Sequence, residues 1–300
     1  RGRAHRGSTA FDCDGFTVYA QRAWQRMRPA STTKTLTAKV ACDFIDQGQD
    51  PGVWIRVRPW VTQVGGSSAN HLANDQLRFR DLIRTMMTVS GNDSAMLLGA
   101  FMTGEGLDAA NFNDWELHSP SFGQWMEQQA TDYGMSNSTS MTNAAGIDWN
   151  DHYVTPYDFA LLTRQAVEDP CVSDIVEPEN WLVTVLRPTT PNVQTPLTPV
   201  NVQFSNFFVN SVRALRPSTV GMKGGTTPGG FRTFLANSYV NTAGKHSTVA
   251  GFGVWGTNRP TGAIDACREC LASELLEVSN LYCTQSAMPD QIQPAQPQPS

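Results

Sequence analysis

Apolar positions recur along the chain with two different periods. Steps of three and four residues mark helices, and alternation marks half-buried strands. Residues 11–20 (FDCDGFTVYA) alternate around Asp14-Gly15, a turn dipeptide, and predict a hairpin. Arg22 to Pro29 make a basic, irregular approach to Ser31. Over 32–47, Leu36, Val40 and Phe44 share one helical face and Gly48 stops the helix, which leaves Ser31 at its start. Phe79, Leu82, Ile83, Met86 and Met87 predict a helix over 77–89. Ser90-Gly91-Asn92 interrupts the pattern, and Met96, Leu97, Ala100 and Phe101 resume it over 93–102.

Ser119-Pro120 and Thr155-Pro156 each set a capping residue before a proline that the first helical turn tolerates. The first opens a helix with Phe122, Met126 and Ala130 that ends near Gly134. The second opens one with Phe159, Leu162 and Ala166 that Asp169-Pro170 stops. The character then changes. Residues 181–186, 218–223, 231–240 and 248–255 read as strands, and 187–200, rich in Pro and Thr, as an exposed loop. Helical spacing returns over 264–282 through Ile264, Leu271, Leu275 and Val278. Residues 286–300 hold four Pro and four Gln with no apolar face, and read as a disordered tail. A first hairpin that must join late strands around a run of helices predicts an α/β domain over 1–285, with a helical subdomain at about 45–170.

Composition narrows what such a domain does. With 40% hydrophobic residues in 300 the chain supports a sizeable core. A net charge of −5 gives no footing for general nucleic-acid binding, which needs clustered Lys and Arg on phosphates. No apolar run is long enough for a membrane-spanning helix. The chain begins at Arg1 with no leader pattern, so a removed signal peptide or a fragment is expected. The six cysteines include Cys267-x-x-Cys270 and Cys283, but no second pair or His completes a zinc site, so structural disulfides or buried thiols are expected and no metal. Only four of the 22 basic residues are lysines: Lys34, Lys39, Lys223 and Lys245. An amine, unlike a guanidinium, can shed its proton and act as a base.

Two of these amines fall in a suggestive order. Ser31-x-x-Lys34 puts a hydroxyl and an amine one helical turn apart at a helix N-terminus, whose dipole favours a developing alkoxide. Alone, that spacing arises by chance and has an ordinary surface reading. Ser90-x-Asn92 follows in a loop, and Lys223-Gly224-Gly225 closes a strand. A Ser-Lys pair, a Ser-x-Asn loop and a Lys-x-Gly strand in that order are the three elements of serine penicillin-recognising enzymes.

RPASTTKTLTAKVA, MMTVSGNDSAMLLG, YGMSNSTSMTNAAGIDWNDHYVTPYDFALLTRQA and GMKGGTTPGGF carry the resemblance further, over roughly 11–255. The chain resembles the D-alanyl-D-alanine carboxypeptidases of the low-molecular-weight penicillin-binding class. The resemblance implies a β-lactamase/transpeptidase-like α/β fold, an antiparallel sheet flanked by helices with an inserted helical subdomain. It also implies a cofactor-free enzyme outside the cytoplasmic membrane that removes the terminal D-Ala of peptidoglycan stem peptides and is acylated by β-lactams. Ser31 then stands as nucleophile, Lys34 as its base and Ser90 as the relay to the leaving group. Asn92 orients Lys34 and the substrate, and Lys223 keeps the site positive. The backbone N–H groups of Ser31 and Thr226 form the oxyanion hole, while Gly225, Thr226, Thr227 and Arg259 bind substrate. His152-Tyr153 is read as structural. Gly224 stands where the family carries Thr or Ser, which removes a hydroxyl that helps hold the terminal carboxylate. A further β-domain and amphipathic anchor are not expected.

Other readings remain. A D,D-endopeptidase would use the same residues on cross-links, and a non-catalytic peptidoglycan-binding homologue would suit Gly224. A class A β-lactamase would need Glu177-Pro178-Glu179-Asn180 to activate water.

Overall fold

A computed structural model describes residues 5–111, 120–136, 139–148, 151–189, 197–227, 231–239, 245–254 and 261–284. Arg259, the cap Ser119 and the tail 286–300 lie outside them. Two antiparallel sheets form rather than one. The first has the order β2-β1-β9-β8-β7, with β1 His5–Phe11, β2 Thr17–Gln21, β7 Thr219–Thr226, β8 Phe231–Tyr239 and β9 His246–Val254. The second has the order β3-β4-β5-β6, with β3 Trp54–Arg56, β4 Gln76–Arg78, β5 Asn180–Pro188 and β6 Leu197–Ser205.

The expected hairpin forms, but its first strand starts further upstream. Asp12 Oδ1 accepts from the N–H groups of Asp14 and Phe16 at 3.0 and 2.9 Å and shapes the turn. Both ends of the loop expected over 187–200 are strand, since β5 runs to Pro188 and pairs with β6 from Leu197. Pro199 belongs to β6, an edge strand, where a missing N–H costs no ladder bond.

Eight helices are described: α1 Lys34–Asp46, α2 Phe79–Thr88, α3 Asn92–Thr103, α4 Pro120–Asp132, α5 Pro156–Glu168, α6 Pro170–Val176, α7 Phe207–Leu215 and α8 Thr261–Thr284. The Asp169-Pro170 pair both ends α5 and opens α6, because Asp169 Oδ1 caps Cys171 N at 2.8 Å. Helix α7 was not expected. Asn206 caps it through Val209 N at 3.2 Å.

Strands β7, β8 and β9 of the first sheet are buried along most of their length, on both faces. Phe234, Ala236 and Val249 face α7 and α8 and pack with Phe208, Val212, Ala272 and Leu276. Leu235, Ala250 and Phe252 face the other way, into the core that holds α1 and α5. Cys42 of α1 and Cys171 of α6 form a disulfide across 129 residues of sequence, while Cys13, Cys267, Cys270 and Cys283 are free thiols.

The buried face of α8 differs from the expected one. Val278 is 37% exposed, and the buried face runs through Arg268, Ala272, Leu275, Leu276 and Ser279. Two polar residues complete it, so apolar spacing alone placed it about one position off. No helix among the described residues is long and apolar enough to cross a membrane.

Candidate active site

Ser31 sits in a one-turn 3-10 segment, Ala30–Thr33, that leads directly into α1. Ala30 holds a left-handed φ of 51°, unusual for a residue with a Cβ. Pro29 O anchors the turn by accepting from Thr32 Oγ1 at 2.5 Å and from Thr233 Oγ1 of β8 at 2.8 Å. The turn is thereby tied to the sheet.

Lys34 is fully buried one turn later. Its Nζ lies 2.9 Å from Ser31 Oγ, 2.7 Å from Asn92 Oδ1 and 2.7 Å from Ala145 O. Burial holds its proton affinity well below the ordinary lysine range. Lys223 adds to that fall, and Asp93 opposes it. A neutral amine has two N–H groups and one lone pair. Asn92 Oδ1 and Ala145 O accept the two N–H groups, and the lone pair then faces the Ser31 hydroxyl, the geometry a general base needs.

Both acceptors are fixed in turn. Asn92 opens α3, and its Nδ2 donates to Gly65 O at 2.7 Å, which sets the amide's orientation. Ala145 O is aimed by Asn143, whose Oδ1 accepts from the N–H groups of Ala145, Gly146 and Ile147 at 3.2, 2.8 and 3.0 Å. The role of Asn143 was missed in the sequence, although Asn-x-x-Gly is a turn signal. His152 is buried below the same turn. Thr142 N donates to its Nδ1 at 2.9 Å, so Nε2 carries the hydrogen and donates to Thr33 Oγ1, also at 2.9 Å. Burial first, then Arg28 and Lys34, push its proton affinity down to about 3. His152 is therefore a neutral structural group, as expected.

Ser90 has a φ of 64°, and this left-handed step turns its Oγ to 2.9 Å from Lys223 Nζ. Lys223 is buried on β7 and also donates to Gly224 O at 2.8 Å. Burial, and secondarily Arg268, bring it down to about 7. Strand β7 is an edge strand, so its outer backbone groups are available to pair with an extended peptide.

A cavity of about 240 Å³ joins Ser31, Ser90, Lys223, Gly225, Thr226 and Arg268. Thr226 ends β7 with its side chain exposed, and a Cβ at Gly225 would lie 3.0 Å from Ser31 N, so the strand end abuts the nucleophile's turn. Thr227 is buried and does not line the cavity. Glu177 is exposed at the end of α6, also away from the lining. A larger cavity of about 520 Å³, around His71 and Arg187, shares no residue with this one.

A family model described as D-alanyl-D-alanine carboxypeptidase matches residues 13–243. The D-alanyl-D-alanine carboxypeptidase DacF of Bacillus subtilis (strain 168) is 23% identical over 155 residues, which are 51% of this chain and 36% of the relative. That of Streptomyces sp. (strain K15) is 28% identical over 177 residues, 58% of each chain. The chain thus spans between about a third and three-fifths of the length of the curated relatives it matches. Among solved structures, the Streptomyces K15 DD-transpeptidase superposes with a TM-score of 0.70 at 21% identity, covering 92% of this chain and 99% of that one. Penicillin-binding protein D2 from Listeria monocytogenes, in its ampicillin-bound form, gives 0.69 at 19% identity over 92% and 97%. The fold is that of the DD-transpeptidases, an antiparallel sheet flanked by helices.

Proposed function

The chain belongs to the D-alanyl-D-alanine carboxypeptidase family, and from that membership we propose that it removes the terminal D-Ala of peptidoglycan stem peptides through an acyl-enzyme on Ser31. The observation that carries this reading is the buried, doubly accepted amine of Lys34 at 2.9 Å from Ser31 Oγ. Lys34 takes the Ser31 proton as Oγ attacks the penultimate D-Ala carbonyl. The N–H groups of Ser31 and Thr226 receive the oxyanion. Ser90, on Lys223 Nζ, passes a proton to the departing amine, and water then releases the shortened peptide. Lys223 draws the substrate's carboxylate to the end of β7, and Gly225 lets the extended peptide lie close. A β-lactam enters the same sequence and stays on Ser31. The substrate implies a place outside the cytoplasmic membrane, and the Cys42–Cys171 disulfide suits an oxidising compartment.

Mass spectrometry after incubation with penicillin G, and D-Ala release from diacetyl-Lys-D-Ala-D-Ala, test the reading. An adduct on Ser31 and free D-Ala are expected. Neither appearing would remove the assignment.

The two amines also set a pH window. Lys34 must be neutral to act, so kcat/KM falls on the acid side as it gains a proton. Lys223 must be charged to attract the carboxylate, so kcat/KM falls again above about pH 7. A bound carboxylate holds the ammonium form, so kcat persists to higher pH. Initial-rate profiles check this: coincident alkaline limbs for kcat and kcat/KM would separate Lys223 from carboxylate binding.

A further inference from the structure

The space beside Gly224 is already filled. A Cβ there would lie 3.0 Å from both Cγ and Cδ2 of Phe208 and 3.1 Å from Arg268 Nη1. Gly224 has no side chain, and a guanidinium from α8 occupies the space where one would stand. Arg268 is about nine-tenths buried and lies 4.8 Å from the centre of the Phe208 ring.

Its charge is only partly answered. Nη2 meets Glu269 at 3.3 Å and Asp265 at 3.6 Å, but Asp265 is held more closely by Arg232 at 2.8 Å. Arg268 Nε is buried with no hydrogen-bond partner in the protein. A second such donor is Nδ2 of Asn206, whose Oδ1 is committed to capping α7. Both residues line the cavity that holds Ser31 and Lys223. The charged residues that line it are Lys223 and Arg268, with no carboxylate among the described lining residues. Two unsatisfied buried donors and these cations form a site for a small anion.

We propose that Arg268 and Asn206, admitted by the missing side chain at 224, bind the terminal carboxylate of the substrate and make the enzyme select a free C-terminus. The proposal rests on the serine-enzyme reading above. A carboxylate fits the donors that are otherwise unpaired. An internal peptide bond brings no charge and leaves Arg268 Nε and Asn206 Nδ2 unanswered, so cross-linked peptides are rejected.

The test compares kcat/KM for diacetyl-Lys-D-Ala-D-Ala and for its C-terminal carboxamide. Arg268→Gln is expected to lower the acid-to-amide ratio about 10- to 100-fold, and Arg268→Lys to restore part of it. Asn206→Asp guards against misfolding, since Asp also caps a helix, while its carboxylate replaces the Nδ2 donor with a negative charge. It too is expected to lower the ratio at least about tenfold. A ratio within about twofold of wild type in a folded Arg268→Gln or Asn206→Asp enzyme overturns the proposal. A wild-type enzyme that neither releases D-Ala nor takes a penicillin adduct removes the serine-enzyme reading, and the proposal with it.

Discussion

Lys34→Arg is expected to slow acylation of Ser31 by penicillin G about a hundred- to ten-thousand-fold, the range a positioned general base supplies. The substitution keeps a long basic side chain but puts a permanent charge where a neutral amine stood. A guanidinium stays protonated and has no acceptor site for the Ser31 proton. The space is also specific. Asn92 Oδ1 and Ala145 O each lie 2.7 Å from Nζ, and Lys34 is fully buried, so the larger planar head must displace one of them. Lys34→Met, which removes the amine without adding bulk, is expected to lose a similar factor. Second-order acylation rates, with thermal melting as the check on folding, decide the matter. A folded variant that retains the wild-type rate would show that another group takes the proton.

Gly146→Ala is expected to destabilise the fold by at least about 4 kcal/mol, summing strain at a left-handed residue with backbone overpacking. Gly146 has a φ of 77°, and a Cβ there would fall 1.9 Å from Ala30 O, 2.5 Å from Ala30 C and 2.7 Å from Thr33 Oγ1. Most of what it meets is backbone, which cannot swing aside. The collision lands on the turn that presents Ser31, and Ala30 is itself left-handed there. The neighbouring Ala145 O holds Lys34, so one methyl disturbs nucleophile and base together. Gly48 is the control. Its φ is 110°, but nothing lies within 4 Å of its Cβ position, so Gly48→Ala is expected to cost only about 1–2 kcal/mol. Urea unfolding of both variants compares them. Equal losses would show that the close approach at Gly146 costs nothing.

Local spacing carried much of this site. Ser31 and Lys34 are one turn apart in any helix that starts there, and the faces of α1 and α2 follow from Leu36, Val40, Leu82 and Met86. Their burial matches the three-four pattern because a helix turns alike whatever surrounds it. Ser90, Asn92 and Lys223 were legible as motifs. Their convergence was legible only through the family resemblance, since 58 residues separate Lys34 from Asn92 and 133 separate Ser90 from Lys223.

By itself the sequence determined the faces of α1 and α2, the starts of α4 and α5 at their prolines, the hairpin at Asp14-Gly15 and the types of residue in the site. Tertiary structure alone decided the rest. Strand β6 was hidden because an edge strand tolerates the Pro199 that reads as loop, and the burial of Arg268 was hidden because a polar residue leaves no trace in apolar periodicity. The pairing of Cys42 with Cys171, the aim of Asn143 at Ala145 and the meeting of Arg268 with the gap at Gly224 join residues far apart in the chain. Short-range periodicity reports how one element turns. It does not report which distant side chain fills the space beside it, because that is settled when the elements pack.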